Sequence, residues 1–119
     1  GWGCQGTVIS GADGTAIGTG AQNTIDIEAG CSTSGIAADI CANLTLGGYS
    51  DWFLPSKDEL DLMHINLHSQ GFGSFSNDYY WSSTETNSIE AWRIYFLDGT
   101  WSNNDSKSND YSVRAIRAF

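Results

Sequence analysis

Positive charge is scarce in this chain. Five Lys and Arg stand against fourteen Asp and Glu in 119 residues, a formal net charge of -9. Nucleic acids and acidic membranes need a basic footprint, so neither is expected as a partner. Long apolar runs are also missing. No stretch approaches the ~18 to 20 residues of a membrane span, so no membrane insertion is expected. Proline occurs once. No CxxC pair is present, and His64 and His68 lie far along the chain from Cys4, Cys31 and Cys41, which argues against a structural zinc site. Three cysteines allow one disulfide and one leftover thiol, and the pairing stays open. No glycine spacing fits a P-loop or a dinucleotide fingerprint.

What is present points to one aromatic-rich domain over 1–119. The chain holds five Trp, five Tyr, five Phe and fourteen Gly, so tight turns are expected rather than a helical bundle. No signal peptide is visible and the chain begins at Gly1, so a fragment or processed form is expected.

The densest stretch is Gly47 to Leu60, GGYSDWFLPSKDEL. Gly47-Gly48 breaks the chain, and Tyr49, Trp52, Phe53 and Leu54 form an apolar cluster. Ser56 and Glu59 have the spacing of a capping box, and Leu60, Met63 and Leu67 recur at helical spacing. A helix over about 56–69, ended by Gly71, is predicted. Trp52 is expected to be buried as the hub beneath it, so that Trp52→Ala costs about 3 to 5 kcal/mol.

Upstream, Gly1 to Ser10 suggests a short strand anchored by Trp2, and Gly11 to Gly20 a loop or tight hairpin. Asn23 or Thr24 could cap a short helix through Glu28. Ile36, Ile40 and Leu44 predict an amphipathic helix over about 34–46, capped by Ser32 or Ser34. Cys41 then reads as a core or disulfide cysteine. His64 and His68 are four apart on a helix, but no HExxH carboxylate supports a metal pair, so surface histidines are expected.

The C-terminal half is strand-rich. Strands are predicted at Tyr79 to Ser83, Ala91 to Leu97 and Tyr111 to Phe119, with an Asp98-Gly99 hairpin turn and a polar loop from Ser102 to Asp110. Arg114 and Arg117 need carboxylate partners if buried, with Asp51, Glu85 and Glu90 as candidates.

Several stretches in family order resemble the Lcl C-terminal domain family, a bacterial domain named for a collagen-like adhesin. They are WGCQGT, GTAIGTGAQNT, GIAADICANL, GGYSDWFLPSKDEL, YYWSSTE, AWRIYFLDG and VRAIRAF, and they cover nearly the whole chain. The resemblance implies an α+β, C-type-lectin-like fold, with two main helices packed on small antiparallel sheets. It also implies an extracellular or cell-surface bacterial module, a piece of a larger exported protein. The domain that names the family forms trimers and binds sulfated polysaccharide through a basic surface. This chain departs from that pattern in charge, so binding carries over as a class while a sulfated ligand does not.

The expected function is therefore an extracellular binding or adhesion module that takes a glycan or cell-surface ligand through the loops of 82–110. Candidate ligand residues are Glu85, Asn87, Glu90, Trp101, Asn103, Asn104, Asp105 and Tyr111, with Trp101 and Tyr111 able to stack on a sugar ring. The tract Trp101-Ser102-Asn103-Asn104-Asp105 is similar to the Trp-Asn-Asp tract of sugar-binding C-type lectins, with insertions. Calcium is the one cofactor to consider, held by Asp98, Asn103 and Asp105, although it needs more oxygens than one loop usually supplies. The plainer reading is an ordinary solvated loop. The alternative function is a structural or oligomerisation module at the tip of a fibre or adhesin, meeting copies of itself through Phe72, Phe75, Tyr79 or Tyr80. No enzyme is expected: neither a Ser-His-Asp set nor a reactive cysteine pair beside a base can be assembled.

Overall fold

A computed structural model describes residues 1–118. Its organisation begins at Ser56. The Ser56 hydroxyl accepts from the Glu59 N–H at 3.4 Å, and the Glu59 carboxylate accepts from the Ser56 N–H at 2.8 Å. This capping box starts helix α3, Lys57–Asn66, with Asp58 and Glu59 in its first turn, where the helix dipole favours negative charge. A 3-10 turn, His68–Gln70, follows, and Gly71 closes it at φ 81°. Glu59 also reaches outside its own helix. Its two carboxylate oxygens accept from the N–H groups of Gly18 and Gly20, each at 3.1 Å. One carboxylate thus satisfies orphan donors at α3 and at the start of helix α1, Gly20–Gly30. A Cβ on Gly20 would lie 2.2 Å from the Glu59 carboxylate, so only glycine allows this approach without a shift.

Helix α1 begins earlier than Asn23 or Thr24. Both are buried inside it and serve tertiary bonds instead of caps. The Asn23 amide donates to the Gly14 carbonyl at 2.7 Å and to Ser83 Oγ at 3.2 Å. Thr24 Oγ1 accepts from the Leu54 N–H at 3.0 Å. Helix α2 is only Ala37–Ala42, with Ile36 at its N-cap in place of Ser32 or Ser34. The 34–46 expectation is too long. The face that packs inward is Ala37, Ala38 and Cys41, while Ile40 is 52% exposed. Small side chains let the helix sit close, so the larger residues gave a misleading stripe.

Strands β1, Tyr79–Glu85, β2, Glu90–Tyr95, and β3, Thr100–Ser106, form one antiparallel sheet in the order β1-β2-β3. The Asp98-Gly99 turn joins β2 to β3, with Gly99 at φ 79° and its N–H bonded to the Tyr95 carbonyl at 2.7 Å. Half of the expected polar loop is therefore strand. An edge strand needs only backbone partners, and its outward side chains can be polar. The segment from Tyr111 is not a regular strand. It makes two isolated bridges, Ser112 to Tyr80 and Ile116 to Phe53, and the first covers the free edge of β1. Phe119, the end of that expected strand, lies outside the described residues. Gly1 to Ser10 also has no strand. It is fastened by a disulfide from Cys4 to Cys31 and by Trp2, whose indole N–H donates to the Ser82 carbonyl at 2.8 Å.

Two apolar clusters form the core. One packs Trp2, Ile9, Ile27, Leu54 and Trp81 between α1, α2 and the sheet. The other packs Leu60 and Met63 of α3 against Tyr80, Ile94 and Phe96. Cys41 is free and buried, and burial pushes its thiol up to about 12. Trp52 is only partly buried, so the expected hub role passes to its fully buried neighbours Leu54, Pro55 and Ser56. Tyr80 is buried as well and cannot serve as an external contact.

Candidate functional site

The β2–β3 hairpin carries the clearest open surface. Its register places Ile94 opposite Trp101 and Arg93 opposite Ser102, and the ladder then shifts before Ala91 meets Asp105. β3 spends one residue more than β2 over that interval, so Trp92 faces the bulged Asn103-Asn104 pair. Trp92 and Trp101 share a face, with ring centroids 5.0 Å apart and planes at 44°. Trp101 is 49% exposed. The Lys57 ammonium lies 4.7 Å from the Trp101 centroid and 5.6 Å from that of Trp92. Lys57 is positioned from below: its N–H donates to Thr84 Oγ1 at 3.0 Å, and that hydroxyl donates to the Gly14 carbonyl at 2.7 Å. The Asp58 carboxylate sits 3.3 Å from the ammonium. The Asn103 side chain is exposed and has no hydrogen bond among the described residues. The result is an aromatic platform rimmed by a cation, a carboxylate and an amide.

The other face of the sheet is aromatic but closed on itself. Tyr79 packs on Tyr95 at 4.5 Å and on Tyr111 at 5.1 Å, and Tyr111 packs on Trp81 at 4.6 Å. Arg93 lies over Tyr79 and donates through Nε to Asp105 at 3.1 Å, while the Tyr111 hydroxyl donates to the same carboxylate oxygen. Burial pushes the Asp105 carboxyl up, but hydrogen bonds from Tyr111, Ser102 and Arg93 outweigh it and hold it below the usual range. Burial and the Asp105 bond together raise the Tyr111 phenol.

The remaining candidate residues are spread apart. Glu85 is buried and holds Lys107 Nζ at 2.7 Å, so it faces the interior. Asn87 shapes the β1–β2 turn, accepting from the Ile89 and Glu90 N–H groups at 2.9 Å each and donating to the Glu90 carboxylate at 2.8 Å. Asn104 is tied to Ser102. Asp98 sits in the hairpin turn and accepts from the Thr100 N–H at 2.9 Å. Asp105 is at the opposite end of β3, with its Oδ2 taken by Arg93 and Tyr111. The fold therefore does not converge Asp98, Asn103 and Asp105 on one point. Among the described residues no cluster of three or more His, Cys, Asp or Glu could hold a metal ion. His64 bonds the Phe96 carbonyl at 3.1 Å and His68 the Asn77 side chain at 2.8 Å.

Of the candidate residues, Trp101 stands on the platform and Asn103 lies in the bulge opposite Trp92. Lys57 and Trp92 were the residues missed. The Asp98-Gly99 turn implied the pairing of Trp101 with Ile94 and so the placement of Trp92 beside it. The approach of Lys57 depends on tertiary packing and left no local signal.

Among the described residues, no helix is long and apolar enough to cross a membrane. The intramolecular disulfide is consistent with an extracellular protein. No curated protein matches the chain. The sequence model of the Lcl C-terminal domain matches residues 14–117, nearly the full length. The chain belongs to the Lcl C-terminal domain family.

Proposed function

We propose that this domain is a non-catalytic carbohydrate-binding and adhesion module of an extracellular or cell-surface bacterial protein, built on a C-type-lectin-like fold. The observation that carries the reading is Trp101, half exposed and stacked on Trp92 beside the Lys57 ammonium. The exposed Trp101 indole, backed by the partly buried Trp92 at the rim of a rigid sheet, offers an apolar face to a sugar ring, and the polar rim offers hydrogen bonds to its hydroxyls. Lys57 and Asn103 are the donors, and Asp58 and Asn103 the acceptors. A net charge of -9 disfavours a polyanion, so the ligand class is a neutral glycan. Binding by stacking needs no calcium, and the carboxylates of β3 and its turn are already engaged by Arg93, Tyr111 and Thr100.

A glycan array probed with and without chelator tests this reading. Neutral glycans should be retained in chelator, and Trp101→Ala should weaken them at least about tenfold, or roughly 1.4 kcal/mol. Equal binding by Trp101→Ala would remove the platform from the account.

A further inference from the structure

A second surface, which shares no residue with the tryptophan platform, has a different chemistry. Between α3 and the C-terminal segment lies a cleft of about 550 Å³, walled mainly by Tyr49, Trp52, Met63, Leu67, Phe75 and Ile116. That volume falls in the range of small-molecule sites, roughly 300 to 1,000 Å³. Two of the chain's five basic side chains, Arg114 and Arg117, also line it.

These two arginines are not equivalent. Arg117 donates to both oxygens of Asp51, at 2.7 and 3.1 Å, so its charge is compensated. Arg114 spends two donors on backbone, the Gly73 carbonyl at 2.8 Å and the Ser74 carbonyl at 3.4 Å, and lies 4.2 Å over the Phe75 ring. Lys57, Arg93, Lys107 and Arg117 each have a carboxylate within 4 Å, whereas Arg114 has none among the described residues. A guanidinium has five donors, so three of its N–H groups have no partner among the described residues. They are held in a fixed plane at the edge of an apolar cavity, in a chain otherwise rich in negative charge.

We propose that this cleft binds a small amphipathic carboxylate, with its aryl or alkyl body against Trp52, Met63 and Phe75 and its anion on Arg114. Charge complementarity selects the anion. A planar guanidinium pairs well with a carboxylate, and burial in an apolar wall strengthens that pair. The cleft is too small and too apolar for a sugar polymer, so this ligand is distinct from the one assigned to the platform.

Met63 is the chain's single methionine and lines the cleft, so its methyl NMR signal reports occupancy without ambiguity. Phenylbutyrate should shift that signal saturably and bind at least about tenfold tighter than the neutral phenylbutanol. Arg114→Gln should abolish the preference and leave phenylbutanol binding unchanged. The absence of a saturable shift, equal binding of acid and alcohol, or a preference that survives in Arg114→Gln would each overturn the proposal. The comparison of acid with alcohol on the unaltered protein needs no variant, so the test stands even where Arg114→Gln fails to fold.

Discussion

The buried polar interior and the tryptophan platform use similar residue types to opposite ends. In the interior, Glu59, Asn23, Thr24, Glu85 and Lys107 each have partners, and every buried side-chain nitrogen and oxygen among the described residues is bonded. On the platform, the Asn103 side chain has no hydrogen bond among the described residues and Trp101 keeps half of its surface open. Saturated polar groups hold the chain in one arrangement, because leaving a buried group unpaired is expensive. Open aromatic surface is unfavourable in water, and the exposed polar groups beside it can exchange their water for a ligand, so the platform is where a ligand is to be sought. Breaking the interior should unfold the domain, and breaking the platform should leave it folded.

The largest effect belongs to the Glu85–Lys107 pair. Lys107 Nζ is fully buried, 2.7 Å from Glu85 and 3.0 Å from the Thr7 carbonyl, and it lies over the Trp2 ring. Glu85→Ala leaves that ammonium buried without its counter-charge, and the expected loss is about 3 to 5 kcal/mol by denaturant titration. A loss below about 1 kcal/mol would show that the interior is not held by its polar network. Next comes Glu59→Ala, which leaves the Ser56 cap but removes the carboxylate that accepts from the N–H groups of Ser56, Gly18 and Gly20, and should cost about 1 to 2 kcal/mol. Amide exchange should quicken at Gly18 and Gly20 as well as at Ser56. Faster exchange at Ser56 alone would sever the link between α1 and α3.

Asp105 gives a smaller, pH-dependent effect. Its folded carboxyl sits below the usual value, so its stabilising contribution is present above the unfolded value near 4 and is lost as pH falls through the folded one. Asp105→Asn should therefore lower Tm at neutral pH, and the difference from the wild type should shrink below about pH 4. A difference that stays constant well below that pH would exclude the titration of Asp105 as its source.

Local chemistry made part of this legible in the sequence. The Ser56–Glu59 box, the Gly71 stop and the Asp98-Gly99 turn are each set by residues a few positions apart, and all are found where the sequence places them. The misses are long-range. Asn23 and Thr24 have cap chemistry, but their side chains are taken by Gly14, Ser83 and Leu54, so α1 starts before them. The polar tract after Trp101 becomes strand because β2 offers it a ladder, which no local propensity reports. Trp52 looked like the core anchor through its size, yet it stands at the cleft while the smaller Leu54 is fully buried. The Cys4–Cys31 pairing could not be chosen over the alternatives by counting. At the candidate site, Trp101 and Asn103 were legible as exposed ligand-type residues. Lys57 was legible only as part of a helix cap.

The most direct test sets the two regions against each other in one variant, Trp101→Ala, with thermal melting and binding to a neutral glycan measured on the same sample. The account predicts a stability change of no more than about 1 kcal/mol, because only the contact with Trp92 and Lys57 is lost, together with at least about tenfold weaker binding. Full binding by a folded Trp101→Ala domain, or a variant that unfolds, would contradict it.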